Sequence, residues 1–157
     1  MKQENYQYFV QLDKEGLLKY LEKELEIRNE SPIWRERVVP FSSAVLSVLI
    51  PLAQQNLLFN PEGEHEKDLT PEVFFRWCDF VSLKMLAFTL QYSNDAGELL
   101  RTSLPESQTK QYKEIDLEEL GAYLSKYNVN LENEHLDFPI ANYNLHEGVA
   151  NVIKSLL

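Results

Sequence analysis

The chain of 157 residues is poor in cysteine, glycine and basic charge, and each shortage excludes a class of function. Cys78 is the only cysteine, so neither an intrachain disulfide nor a thiolate-rich metal site can form. The five glycines form no phosphate-binding loop and no elbow that would present a catalytic serine. No His-Glu-x-x-His sequence occurs. Thus no motif specifies a reaction, and we expect no cofactor and no metal.

Basic side chains are outnumbered, with 15 Lys and Arg against 25 Asp and Glu, which gives a formal net charge of −10 at pH 7. A surface of this sign repels a phosphate backbone, so direct binding to nucleic acid is not expected. Such a charge suits a partner protein with a basic surface, or it serves solubility alone. The apolar share of 44% is ordinary for a globular protein, and the length predicts a single domain over residues 1–157.

Long apolar runs are also scarce. The first nine residues, MKQENYQYF, lack the apolar core of a signal peptide. The longest apolar run, Val38 to Ala53, is interrupted by serines and prolines and is too short to span a bilayer comfortably. We therefore expect a cytoplasmic protein without a membrane partner.

The strongest structural signal is the stretch from Thr70 to Tyr92, which predicts a helix that is apolar on nearly every side. Thr70 is a good N-cap, and Pro71 suits the first helical position. Trp77 lies in the most apolar sector of the helix. A helix of this kind is normally buried on all sides, so the sequence predicts an all-α bundle of about five or six helices with a central apolar helix over residues 71–92.

Other segments predict the surrounding helices. Residues 13–29 carry a leucine stripe behind the N-cap Asp13, and residues 40–59 form a broad apolar face with a kink at Pro51. Tyr6–Leu12 fits either a strand or a helix, and we favour the helix because a lone strand has no pairing partner. Further helices are expected at 96–104, from a capping-box-like start at 116–119, and from Asn144 onward.

Three segments combine residues that could carry chemistry, and each has a structural explanation. The loop around His65 and the segment around His135 are rich in carboxylates, but neither has the spacing of a calcium loop, so we interpret both as solvated acidic segments. Cys78 sits in an apolar seam beside Asp79, which favours a buried thiol over a nucleophile.

Arg76 and Asp79 are three residues apart on the predicted central helix, so we expect them to face one another as a structural ion pair. Lys84 lies on roughly the same side of that helix as Arg76. If the three residues instead line a cleft, they could form the polar wall of a small-ligand or active-site pocket.

Two segments are candidates for partner binding. The first is the exposed turn that contains Trp34, Arg35 and Arg37, because Trp and Arg are enriched in binding hot spots, although Trp34 could equally pack inward. The second is the stretch 115–137, whose six carboxylates and single lysine leave a local charge of −5. Its candidate contact residues are Glu118, Glu119, Tyr123, Tyr127, Glu132 and Glu134.

Three functions follow in order of preference. The first is a non-enzymatic acidic interaction module, such as an inhibitor, immunity-type or adaptor protein, that binds a basic protein surface. The second is a structural subunit of a helical assembly or a homodimer, because the chain has much apolar helix surface for its size. The third is an enzyme or small-ligand carrier with a pocket near Arg76, Asp79 and Lys84.

Overall fold

The computed structural model describes residues 2–29, 31–93, 115–127, 129 and 140–156. This part of the chain is all-α, as predicted, and contains seven helices. They are α1 (Lys2–Val10), α2 (Lys14–Ile27), α3 (Pro32–Gln54), α4 (Pro71–Arg76), α5 (Phe80–Ser93), α6 (Glu118–Lys126) and α7 (Ile140–Leu156). The helix expected at 96–104 lies outside the described residues. The expectation of one domain over residues 1–157 stays a prediction.

Helix α3 is the element around which the others pack, contacting α2, α4, α6 and α7. Its buried face includes seven residues with no exposed surface: Val38, Phe41, Val45, Leu46, Val48, Leu49 and Leu52. The sequence pattern predicted an exposed turn around Trp34 and a separate helix over 40–59, but the two segments form one helix that ends at Gln54. The helix runs through Pro40 and Pro51 without a break.

The C-terminus of α3 explains why the helix stops before residue 59. Asn56 adopts a left-handed conformation, with φ of 58°, and its N–H donates to the carbonyl of Ala53. The N–H of Leu57 reaches back to the carbonyl of Leu52. This pair of bonds is a Schellman motif, in which asparagine is the usual substitute for glycine. Leu57, Leu58 and Phe59 are therefore buried outside the helix.

Helix α3 also bears on the question of membrane insertion. With 23 residues, it is the one helix in the described part of the chain that is long and apolar enough to cross a bilayer. Sequence inspection underestimated its length because it divided the segment at Pro40. More than half of its most apolar stretch is covered by the neighbouring helices, and the core helix of a globular protein passes the same test.

The N-terminal helices form as predicted, with local capping. Residues Lys2–Val10 are helical, which settles the strand-or-helix alternative for Tyr6–Leu12 in favour of the helix. The side chain of Asp13 caps α2 by accepting from the N–H of Gly16 at 2.9 Å. Leu17, Leu21 and Leu25 then form the buried stripe that packs on α3.

The apolar stretch 71–92 is not one helix. Thr70 caps its start as predicted, accepting from the N–H of Val73 at 3.1 Å, but α4 ends at Arg76 and α5 begins at Phe80. Between them the N–H of Cys78 donates to the carbonyl of Phe75, three residues earlier, which tightens the last turn. The predicted central helix is thus two shorter helices separated by residues 77–79, and α3 takes the central position.

Helices α6 and α7 complete the described fold. The C-terminal helix begins at Ile140, four residues before the predicted start, and buries Val149, Ile153 and Leu156. The start of α6 differs slightly from the expected capping box. Its N-cap position is Leu117, and Asp116 instead accepts the N–H of Glu118 at 2.9 Å.

Two adjacent serines on α3 provide a test of this packing. Ser42 is fully buried, and its Oγ has no hydrogen-bond partner among the described residues. We expect Ser42→Ala to raise the free energy of unfolding by about 1 kcal/mol, because it removes an unsatisfied buried hydroxyl and improves helix propensity. Urea unfolding measures the change.

The neighbouring residue is the matched control. Ser43 Oγ donates to the carboxylate of Glu119 on α6 at 2.5 Å, so Ser43→Ala should destabilise by about 1 kcal/mol. A loss of stability in Ser42→Ala would show that its hydroxyl is hydrogen-bonded after all.

Candidate functional site

The junction between α4 and α5 brings more of the sequence-predicted chemistry together than any other described region. Asp79 caps α5, because its Oδ2 accepts both the N–H and the hydroxyl of Ser82, at 3.0 and 2.9 Å. The Asp79 carbonyl then accepts the first helical bond, from the N–H of Leu83. These are the hydrogen bonds that an aspartate at an N-cap position usually accepts. The sequence signal was present as Asp-Phe-Val-Ser, inside an otherwise apolar run.

The cap changes the predicted partner of Arg76. The guanidinium of Arg76 pairs with the carboxylate of Glu62, in the loop after α3, and Asp79 is occupied by Ser82. The expected Arg76–Asp79 pair is therefore wrong, because α4 ends at Arg76 and Asp79 lies beyond it as the cap of α5. Both side chains in the Arg76–Glu62 pair remain more than one third exposed, so the pair contributes at most about 1 kcal/mol to stability.

Trp77 anchors the junction from inside. Its ring is 3% exposed, its Nε1–H donates to the carbonyl of Phe59 at 2.8 Å, and it meets the Phe59 ring edge-on with centroids 5.6 Å apart. Buried indole N–H groups need such an acceptor. The bond also satisfies a carbonyl that lies beyond the end of α3, so the loop and the junction are tied together.

Cys78 is a structural residue, as predicted. The side chain is 1% exposed and its thiol donates to the carbonyl of Phe74 at 3.3 Å. Burial raises the pKa of the Cys78 thiol well above its ordinary value, which keeps it protonated at neutral pH. A protonated, enclosed thiol is a poor nucleophile and a poor metal ligand.

Two open clefts flank the junction. The first, of about 280 Å³, lies between the junction and α7 and is lined by Phe75, Arg76, Cys78, Asp79, Glu147, Ala150 and Asn151. The second, of about 430 Å³, lies between the loop after α3 and α5. Arg76 and Asp79 therefore reach a cleft wall, whereas Lys84 has no exposed surface and lies in the core.

The acidic loop 60–68 is folded rather than simply solvated. Asn60 is 4% exposed, and its side-chain oxygen accepts the N–H groups of Glu62 and Glu64, both at 3.0 Å. Its amide nitrogen donates to Glu66 at 2.9 Å. Gly63 supplies the positive φ of 82° that the turn requires, and Phe59 and His65 form a single antiparallel bridge across the loop.

His65 contributes to this folded loop. Its Nε2 lies 3.1 Å from the carbonyl of Asn56, which can only accept, so Nε2 carries the proton and is not available as a metal ligand. Within the described residues, no group of three or more His, Cys, Asp or Glu side chains could hold a metal ion. The second acidic segment, with His135, Glu132 and Glu134, lies outside those residues.

The residues predicted to bind a partner fall into two groups. Arg35, Glu118 and Glu119 are exposed, whereas Trp34, Arg37, Tyr123 and Tyr127 are half-buried. The Trp34 ring covers Gly148 on α7 so closely that an added Cβ at that glycine would lie 2.8 Å from it. The inward-packing alternative for Trp34 is therefore the observed one.

Helix α6 is attached to the core on one side. Tyr123 packs on Phe41, with ring centroids 5.2 Å apart, and also contacts Tyr127 at 4.9 Å. Burial is the main cause that raises the pKa of Tyr123 above its ordinary value, and the neighbouring Tyr127 raises it further.

Glu119, on the same helix, accepts hydrogen bonds from Lys14 on α2 at 3.1 Å and from Ser43 on α3. Glu119 is thus a packing residue as well as a surface charge, while Glu118 makes no ion pair with a described residue.

Comparison with protein-family models, curated proteins and solved structures found no match to this chain.

The cap at Asp79 can be tested directly. We expect Asp79→Ala to lower the free energy of unfolding by about 1 kcal/mol, because two donors at the start of α5 lose their acceptor, and Asp79→Asn to retain most of it. Asp68→Ala, which removes an exposed loop carboxylate, is the control and should change stability by less than about 0.5 kcal/mol. Equal effects of Asp79→Ala and Asp68→Ala in urea unfolding would contradict the cap.

The absence of a metal site at His65 is a separate prediction. Adding Zn²⁺, Mn²⁺ or Ca²⁺ should leave the melting temperature unchanged, whereas a site filled at 100 times its Kd would add about 2.7 kcal/mol. Differential scanning fluorimetry of the wild type and of His65→Ala makes the measurement. A metal-dependent rise that disappears in the His65→Ala variant would overturn the structural role assigned to the loop.

Proposed function

We propose that the protein is a non-enzymatic acidic interaction module, of the inhibitor, immunity or adaptor type, which binds a basic surface of another protein in the cytoplasm. One observation carries this proposal. The four ion pairs among the described residues engage only Glu15, Glu24, Glu62 and Glu119, so most of the described carboxylates of this chain, whose net charge is −10, form no ion pair with a described residue. Such a surface attracts and orients a basic partner.

The N-terminal edge of α6 supports the proposal in structural terms. Asp116 and Glu118 are exposed, while Glu119 and Tyr123 hold the same turn against α2 and α3. The exposed charges therefore project from an anchored element, which limits the entropy lost on binding. Part of this acidity has a structural cause, because carboxylates in a first helical turn also stabilise the helix dipole. Glu118 is exposed and forms no ion pair with a described residue, so its charge is available to a partner.

The first alternative is a subunit of a helical assembly or a homodimer. It is favoured by the exposed apolar side chains Tyr6, Val10, Ile27, Ile33 and Met85, each more than one third exposed. Light scattering coupled to gel filtration distinguishes this alternative, because a self-associating chain has twice the monomer mass or more.

The second alternative is a ligand carrier or enzyme that uses the cleft of about 280 Å³ beside α7. Arg76, Asp79, Glu147 and Asn151 give this cleft a mixed polar wall. The cleft is open to solvent, and its arginine and aspartate are already bonded to Glu62 and Ser82. Equilibrium dialysis against a metabolite extract tests whether a small molecule is retained.

The preferred proposal predicts how one charge affects association. After the partner has been identified by affinity capture and mass spectrometry, Glu118→Lys should slow association about two- to fivefold at low ionic strength and flatten the salt dependence of the rate. Stopped-flow mixing measures both quantities.

Glu119 is left unchanged in this test, because reversing its charge would place two cations together at Lys14. The control is Glu22→Lys, an identical charge reversal at an exposed position on α2. If both variants slow association equally, the net charge of the protein matters but the α6 edge is not the binding face. If neither does, charge complementarity does not drive the interaction.

A further inference from the structure

The larger cleft is a groove with an apolar floor and a polar rim. Its volume is about 430 Å³, and it runs between the loop after α3 and one side of α5. The apolar lining consists of Phe59, Pro61, Trp77, Val81, Met85 and Leu86. The rest of the lining consists of Asn60, Glu62, Gly63 and Ser82. We call this feature the α5 groove. It has the size and the apolar character of surface sites that receive side chains of a ligand or partner.

Both walls of the α5 groove are held in place by interactions already described. On the loop side, Asn60 is buried and makes three side-chain hydrogen bonds. Below the groove, Trp77 is fixed by its hydrogen bond to Phe59. On the helix side, Asp79 caps the first turn of α5. A groove formed in advance in this way costs little ordering entropy when it is filled.

The exposed part of the floor is adaptable. Met85 is 37% exposed and is one of five exposed large apolar side chains among the described residues. Val81, one turn earlier, is partly exposed. Methionine is flexible and polarizable, so it adapts to differently shaped apolar groups. Residues four apart lie on the same side of a helix, so these two side chains form one continuous apolar surface.

Charge near the groove indicates which partner it fits. The loop 60–68, whose first residues line the groove, contains four carboxylates, Glu62, Glu64, Glu66 and Asp68, against Lys67, a local charge of −3 that the paired Arg76 reduces to −2. Glu62 is the carboxylate that lines the groove, and Arg76 pairs with it. Glu64 and Asp68 are exposed elsewhere in the same loop. An acidic loop beside the groove disfavours acidic or phosphorylated ligands and attracts lysine and arginine.

We propose that the α5 groove is the docking site for a basic segment of a partner protein, with apolar side chains seated over Met85 and Val81 and flanking lysines or arginines facing the 60–68 loop. This inference rests on the proposed function and locates one contact surface for it. The apolar floor provides the affinity for the partner, and the charges of the 60–68 loop set its orientation and its association rate.

A synthetic probe tests the groove without knowledge of the partner. The probe is an 18-residue amphipathic peptide made only of leucine and lysine, titrated in 0.15 M salt. A Trp34→Phe background leaves Trp77, in the groove lining, as the sole tryptophan, so its fluorescence reports occupancy. We expect a saturable change with this peptide, and none with peptides in which glutamate replaces lysine or glutamine replaces leucine.

Two variants with the same charge change separate groove binding from general attraction. Met85→Glu introduces a carboxylate into the groove, and Val10→Glu introduces one at an exposed apolar position on α1. Binding by general attraction should be unchanged or stronger in both variants, because each is more acidic. Binding in the groove should be about tenfold weaker in Met85→Glu alone, since it loses its apolar anchor. Met85→Gln, which adds no charge, should give a smaller loss in the same direction and serves if Met85→Glu does not fold.

Each other result contradicts the docking assignment in a distinct way. Equal binding by both glutamate variants would mean that the peptide binds elsewhere on the acidic surface, which leaves the proposed function intact and removes the groove from it. No saturable binding of the leucine–lysine peptide would also overturn the groove, while the Glu118→Lys rate measurement would still decide the proposed function. A Trp77 signal that changes on dilution without peptide would identify a second copy of this chain as the occupant.

Discussion

The burial of the middle of α3, where nine residues between Val38 and Leu52 are buried, is the constraint on which the rest of the described structure depends. A helix of 23 residues is about 35 Å long, roughly the width of a small domain, so elements packed along it share one core. Helices α2, α4, α6 and α7 all contact α3. Their positions follow from covering its apolar surface, and the remaining features, including both clefts, lie between these covering elements.

Because α3 occupies the centre, the apolar stretch 71–92 packs against it. The stretch covers part of the core and also contacts the loop that follows α3. The break at residues 77–79 allows both, since Trp77 points inward to the Phe59 carbonyl while Asp79 starts a second helix. The same break brings Arg76 to Glu62 and leaves Val81 and Met85 beside the acidic loop. The break that allows this packing therefore also forms the α5 groove.

The helical class, the capping residues Asp13 and Thr70 and the burial of Cys78 could be predicted from the sequence, because each depends on local spacing and composition.

The predicted central helix, over residues 71–92, was the wrong one for a physical reason. Hydrophobicity on all sides indicates that a helix is buried, but it does not show which of two buried helices lies at the centre. The break at Asp79 was missed because one polar residue is easily outweighed by apolar neighbours, although Asp followed three residues later by Ser is a capping pattern. The partners of Arg76 and Asp79 could not be predicted, because they depend on Glu62, 14 residues from Arg76, and on the break itself. The inward orientation of Trp34 and the anchoring of Glu119 depend on contacts across more than 75 residues, which no local pattern encodes.

The α5 groove, the Arg76–Glu62 pair and the orientation of Met85 all depend on the break between α4 and α5. Backbone and Cβ chemical shifts of residues 70–93 test it most directly. The structure predicts helical shifts over Pro71–Arg76 and Phe80–Ser93, interrupted at 77–79, with an N-cap pattern at Asp79. Uninterrupted helical shifts from Pro71 through Leu83 would contradict the account, since each added helical residue would turn Val81 and Met85 by about 100° away from the loop.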